Sequence, residues 1–254
     1  MRFPNLFQTT ILIFLLVIIS WLIPRIIPLS EYNNLKDCIV SVIKVILLMV
    51  AILILLKRNK IDEKNITTKL PNKYLLLIGI SIGILIVFNP FLASISFFSK
   101  DDILNIANSI TTESVDIFVF LNLVIFTPIF EELLFRGLIL SGIKNNYNIP
   151  TALILSSVLF GILHIDVIGA AVFGFWLGWI YIKTNNIVLC IIVHSACNTI
   201  SFIFRIIIKD DYGKLFFTKI GENSISISIL MLMSCITLFY LSYKKFKIKN
   251  STLE

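Results

Sequence analysis

Apolar residues run along this chain in long stretches broken by short polar connections, without the alternating stripes of half-exposed elements. A helix needs about 20 mostly apolar residues to cross the hydrocarbon core of a bilayer. Eight stretches meet that need, near 7–29, 37–56, 74–98, 116–141, 150–167, 168–184, 187–208 and 223–243. The first follows a short N-terminus bearing Arg2, is long for the apolar part of a signal peptide and has no small-residue cleavage site, so it reads as a helix. Only a few residues around Asp166 separate the fifth from the sixth, which demands a tight turn there. The pattern predicts an all-α fold: a polytopic membrane protein, a bundle of about eight transmembrane helices. No repeat of fixed period appears, and residues 1–254 read as a single transmembrane domain.

Composition agrees with this pattern. The chain has 254 residues, 57% hydrophobic and 15% charged, and its mean hydropathy is +0.96. So many apolar side chains do not fit inside one water-soluble core. Disordered, collagen-like and disulfide-scaffold classes are excluded with it. The four cysteines, Cys38, Cys190, Cys197 and Cys235, lie in or beside apolar runs with no CxxC pair, as packing residues do.

The net charge of +7 is spread between the apolar runs, so it reads as a topology signal and not as a nucleic-acid surface. With eight spans, both termini share one side with the loops near 57–73, 142–149 and 183–186. Thirteen Lys and Arg fall on that side and seven on the other, leaving out Lys44 and Arg136 inside spans. The excess of positive charge puts both termini in the cytoplasm of a cell-membrane protein. The basic run 57–73 and the tail KKFKIKN act as topology determinants. Ala170, Gly174 and Gly178, four residues apart, let a neighbouring helix approach closely.

The polar residues inside the spans carry the chemistry. The fourth span holds Glu131, Glu132 and Arg136 among apolar residues. A charge at the bilayer centre costs about 2.5–3.5 kcal/mol on insertion scales, so compensation is required. Glu132 and Arg136 are i,i+4 and can pair. Glu131 lies about 100° around the helix with no partner of its own, a candidate general base. The two histidines, His164 and His194, lie in or at the end of spans, and Asn198 follows His194 on the same face. At about 1.5 Å per residue, Glu131, His164, His194 and Asn198 share one layer roughly 10–21 Å deep.

Glu131 with His164 could hold and deprotonate a water, and either could then protonate a leaving amine. His194 and Asn198 could stabilise an oxyanion. Together these describe hydrolysis of an acyl bond with water as nucleophile. A divalent metal such as zinc is the rival chemistry, with Glu131, His164 and His194 as ligands, although no HExxH spacing or third histidine is present. Both chemistries stay open at this point.

Three motifs in order, Glu131-Glu132-Leu133-Leu134-Phe135-Arg136 (EExxxR), Phe160-Gly161-Ile162-Leu163-His164 (FxxxH) and His194-Ser195-Ala196-Cys197-Asn198 (HxxxN), resemble the CAAX protease and bacteriocin-processing (CPBP, or Abi) intramembrane endopeptidases. That family includes the type II CAAX prenyl endopeptidases. The resemblance covers roughly 116–208, a motif-bearing catalytic core. It implies that Glu131 and His164 activate water, that His194 and Asn198 form an oxyanion hole, and that Glu132 with Arg136 supports the site. It leaves metal dependence open. The Ile/Asn/Lys-rich composition points to a bacterial chain. The resemblance implies a membrane-embedded or membrane-associated peptide or protein as substrate, in peptide processing or bacteriocin self-immunity, and no nucleic-acid partner is expected. The rivals are a catalytically silent scaffold or immunity protein that binds a partner through the same bundle, and a proton-coupled transporter. Against the transporter stands the absence of an inverted repeat; Asn89-Pro90 is the only candidate helix break, and a plain kink explains it. Lys44 reads as snorkelling.

Overall fold

The structure, a computed structural model, describes residues 8, 33–57, 78–85, 116–164, 166–208, 219 and 224–251. The expected span at 7–29, the loop 58–73 and Asn89-Pro90 lie outside or almost wholly outside these residues. The described chain is helical, with no strand among the described residues. Its main helices are α1 (Asn33–Lys57), α2 (Ile117–Lys144), α3 (Ile149–Ile162), α4 (Val167–Thr184), α5 (Ile187–Ile208) and α6 (Ser224–Ser251). Residues 78–85 add a short helical stretch from the expected third span.

Side-chain caps set the helix starts. Asp116 accepts the backbone N–H groups of Phe118 and Val119 at 2.9 Å each, satisfying orphan donors of the first turn of α2. It also accepts from Asn34 Nδ2 at 2.8 Å, which ties the start of α2 to the start of α1. Asn148 caps α3 through the Thr151 N–H, and Asp166 caps α4 through the Gly169 N–H. At the end of α4, Asn185 takes a left-handed conformation (φ 50°) and returns its N–H to the Tyr181 carbonyl at 2.7 Å.

Helix α2 is continuous but not uniformly wound. Leu121–Phe126 and Leu133–Leu140 are π-helical turns on either side of an α-helical stretch, Thr127–Glu132. A π turn reaches back five residues instead of four, so it re-aims the side chains beyond it and can leave a carbonyl without an intrahelical donor.

Four described helices, Asn33–Ile54, Ile117–Lys144, Val167–Thr184 and Ile187–Ile207, are long and apolar enough to cross a membrane. The expected span 150–167 is shorter than anticipated. Helix α3 has 14 residues, about 21 Å of rise against a hydrocarbon core of about 30 Å. It stops because Leu163 leaves helical conformation (φ −83°, ψ 1°) and the His164 N–H turns back to the Gly161 carbonyl at 2.9 Å. His164 therefore stands in the turn after α3, not within it. At the other end of the chain α6 continues to Ser251, beyond the expected 243.

Helices α3 and α4 form the tightest pair, and glycine permits it. Gly174 faces the Phe160 ring, and Gly178 faces Leu153 and Leu140, as the four-residue spacing anticipated. Gly161 contributes the closest approach from the α3 side. A Cβ there would lie 2.5 Å from the Val167 carbonyl oxygen and 2.8 Å from Ala171 Cβ. The backbone oxygen cannot swing aside, so Gly161→Ala should cost about 1–3 kcal/mol by overpacking. Gly178→Ala meets only the mobile end of Leu153 and should cost less. Thermal unfolding of the two variants in one detergent checks the order, and equal midpoints would contradict it.

The 78–85 stretch seals the other flank. Gly79 and Gly83 lie against Val193 and Cys197 of α5, and the Gly79 carbonyl accepts Trp176 Nε1 at 3.2 Å. Lipid-facing surface is left outside. The α1 side chains Ile46, Leu47, Leu53 and Ile54 and the α6 side chains Ile229 and Met233 are exposed, as a bilayer solvent allows.

Candidate active site

Adjacent glutamates on α2 project in different directions and meet different partners. Glu132 is fully buried, and its Oε1 accepts two charge-assisted hydrogen bonds. One comes from Arg136 Nη1 at 2.9 Å, the i,i+4 pair anticipated from spacing. The other is a 2.8 Å contact with His194 Nδ1 across from α5. Arg136, also buried, gives Nη2 to the Gly174 carbonyl at 3.0 Å, so one guanidinium ties α2 to α4. Its Cζ sits 4.9 Å from the centre of the Phe160 ring.

Glu131 points to the histidines. Its Oε2 lies 3.8 Å from His164 Nε2 and 3.8 Å from His194 Nε2. That oxygen is buried and makes no direct hydrogen bond. A buried carboxylate oxygen without a protein partner, beside two ring nitrogens just beyond bonding distance, marks a place for a small polar group such as water.

Both rings are fixed from behind. His164 Nδ1 meets the Phe160 carbonyl at 2.7 Å, and a carbonyl can only accept, so Nδ1 carries the hydrogen. His194 Nδ1 faces the acceptor Glu132 Oε1 in the same manner. Each Nε2 is then the atom that faces Glu131, an acceptor when the ring is neutral and a donor when it is cationic. Phe160 stacks on His164 with centroids 4.5 Å apart and 27° between planes, and Phe173 meets the His194 ring edge-on at 5.2 Å.

Asn198, one turn beyond His194, donates Nδ2 to the Leu123 carbonyl at 2.8 Å. One of its two amide hydrogens is thereby used, and the other remains for a ligand. Side-chain exposure falls from 33% at His164 to 16% at Glu131 and 6% at His194, so the cluster opens on the His164 side.

The fold thus gathers Glu131, His164 and His194 around one point, sets Glu132 and Arg136 behind them, and holds Asn198 on the same face of α5 as His194. Spacing alone missed three contributors: the second partner of Glu132, the Gly174 carbonyl on Arg136, and Phe160 as the plate between His164 and the guanidinium. Only Phe160 left a trace in the sequence, as the first residue of FxxxH.

For a metal, the test is the donor set. Among the described residues no group of three or more His, Cys, Asp or Glu is arranged to hold a metal ion. Hydrogen bonding at both Nδ1 atoms leaves each ring one nitrogen, Nε2, for a ligand, and Glu131 Oε2 stands 3.8 Å from each. As placed, the described residues do not form a zinc set.

Comparison with known proteins converges on the same segment. Residues 113–200 match the family described as "Type II CAAX prenyl endopeptidase Rce1-like". Over 78 residues the chain is 38% identical to the UPF0177 protein YxdF of Lactococcus lactis subsp. lactis (strain IL1403), covering 29% of this chain and 42% of that protein. Over 82 residues it is 33% identical to the protein named "Putative membrane peptidase YdiL" of Bacillus subtilis (strain 168), covering 31% of this chain and 34% of that protein. The matched stretch thus spans less than half the length of these curated relatives. No solved structure matches.

Proposed function

From the match of residues 113–200 to the type II CAAX prenyl endopeptidase family and the CPBP-like motifs they carry, we propose an intramembrane endopeptidase that hydrolyses a peptide bond of a membrane-associated peptide or protein. The observation that carries this reading is the convergence of His164 Nε2 and His194 Nε2 on the unbonded Oε2 of Glu131. We place the protein in a bacterial cell membrane with both termini cytoplasmic, on the distribution of Lys and Arg.

In the reaction, a water sits between Glu131 Oε2 and the histidine Nε2 atoms. Glu131 takes one of its protons as the water oxygen bonds to the scissile carbonyl carbon, and the carbonyl π pair moves onto its oxygen. The second Asn198 amide hydrogen, with His194 Nε2–H when that ring is cationic, stabilises the oxyanion. Collapse reforms the carbonyl and breaks the C–N bond. The proton held by Glu131 passes to the leaving amine, directly or through His164, and the carboxylate is restored. Glu132 acts on this chemistry by fixing the His194 ring, and Arg136 by balancing the Glu132 charge.

The test compares new peptide termini, by mass spectrometry, in membranes of cells expressing wild type or Glu131→Gln at matched levels. Termini present only with wild type support a protease and name its substrate. Identical termini with both proteins folded overturn the reading and favour a scaffold or immunity protein acting through the same bundle.

A further inference from the structure

Asn198 is held by a carbonyl that an ordinary helix would not leave free. In α-helical register the Leu123 carbonyl would accept from the Thr127 N–H, but that N–H goes to the Asn122 carbonyl, closing the π turn. In π register Leu123 would accept from residue 128, and residue 128 is proline, which has no N–H. Both intrahelical donors are therefore removed, one by the winding and one by covalent structure. A part-buried carbonyl left this way, inside an apolar bundle, calls for a partner from elsewhere. Asn198 Nδ2 supplies it at 2.8 Å from the neighbouring helix.

We propose that Pro128 is a positioning residue for Asn198. By denying Leu123 an intrahelical donor, it keeps one carbonyl aimed at α5 to orient the Asn198 amide. Pro128 is buried and lies three residues before Glu131 on the same helix, so the device sits in the wall of the site. The orientation matters because a side-chain amide rotates about its last torsion through a broad range unless a partner fixes it. With Nδ2 anchored on Leu123, its second hydrogen points in one direction, and the other helix carries the aim. The catalytic consequence rests on the role given to Asn198 above, whereas the hydrogen-bond exchange does not.

The test uses Pro128→Ala, which restores an N–H at 128 and favours a continuous helix. In its structure, by crystallography or cryo-electron microscopy of the full chain, the Leu123 carbonyl should take an intrahelical donor. That donor is residue 128 in π register or Thr127 in α register, and Asn198 Nδ2 should move beyond hydrogen-bond distance. An unchanged Asn198–Leu123 bond overturns the proposal whether or not the protein is a protease. Kinetically, Pro128→Ala should lower kcat about tenfold with KM within about twofold, as expected when one oxyanion donor is misaimed and not deleted. In an Asn198→Ala background the same change should have no further effect. An equal loss in both backgrounds overturns the proposal, because proline would then act on the shape of α2. Should wild type cleave nothing, the proteolytic reading fails, and the structural comparison alone decides this proposal.

Discussion

Replacing Glu131 with glutamine is expected to lower kcat by about a thousandfold or more while leaving the protein folded. The side chain keeps its size, so the packing around α2 is preserved. What it loses is the ability to take a proton from water, and a positioned general base is worth about 10²–10⁴ in rate. Folding should be spared because Oε2 makes no hydrogen bond within the protein and the histidine nitrogens stand 3.8 Å away. No hydrogen bond of Oε2 within the protein is lost with its charge. Turnover of a cleavable reporter and thermal unfolding in detergent check the two halves separately. Full turnover by the variant removes Glu131 from the mechanism. A collapsed unfolding midpoint would mean instead that Glu131 helps hold the bundle, as one member of an ion cluster.

The same experiment separates the rival readings. A scaffold that binds a partner through the bundle keeps its biological effect in Glu131→Gln, because the surface is unchanged. A proton relay would lose transport but would yield no new peptide termini in wild type either. Glu131, His164 and His194 alone are compatible with a relay. The clamp behind them is less so, since Glu132, tied to Arg136 and His194 and wholly buried, is poorly placed to exchange protons with either face of a membrane.

Much of this arrangement is legible in the sequence. Helices α1, α2, α4 and α5 fall within a few residues of their apolar stretches, because long uninterrupted runs leave little freedom for a boundary. The Glu132–Arg136 pair follows from i,i+4 geometry alone. The shared layer of Glu131, His164 and His194 follows from counting helical rise. The end of α3 was hidden because Leu163 is as apolar as the helix before it, so nothing local marks the stop. The turn is imposed by the His164-to-Gly161 bond and by Asp166 capping the next helix, and both are matters of three-dimensional closure. The second partner of Glu132 was hidden too, since it comes from another helix whose rotation the sequence leaves undetermined. Gly79 and Gly83 are a different case. They follow the same four-residue rule that singled out Gly174 and Gly178, and that signal was available in the third span. The π turns of α2 leave one trace in the sequence, Pro128 in the middle of the fourth span, and its consequence depends on a bond from another helix, that of Asn198 to the Leu123 carbonyl.

Glu132→Gln should be more damaging to the fold than any other single change in the cluster, costing about 3–5 kcal/mol. Arg136 is 1% exposed and bound to Gly174 at its far end. With the Glu132 charge gone, a guanidinium remains in a low-dielectric interior opposite a neutral amide, and its desolvation is no longer offset. His194 loses its anionic anchor in the same step, so two helices are affected together. The Phe160 ring beneath the guanidinium offsets only part of this, since a cation over an aromatic face is worth about 2 kcal/mol when desolvated. Thermal or denaturant unfolding of the purified variant measures the loss. The sharper test adds Arg136→Met in the same chain. Removing one partner of a buried pair leaves an uncompensated charge, whereas replacing both with neutral side chains of similar volume is often close to neutral. The double variant should therefore recover most of the stability that Glu132→Gln removes, while activity stays low because His194 still lacks its anionic anchor. A double variant no more stable than Glu132→Gln alone would mean that the hydrogen bonds, and not the buried charge, set the cost.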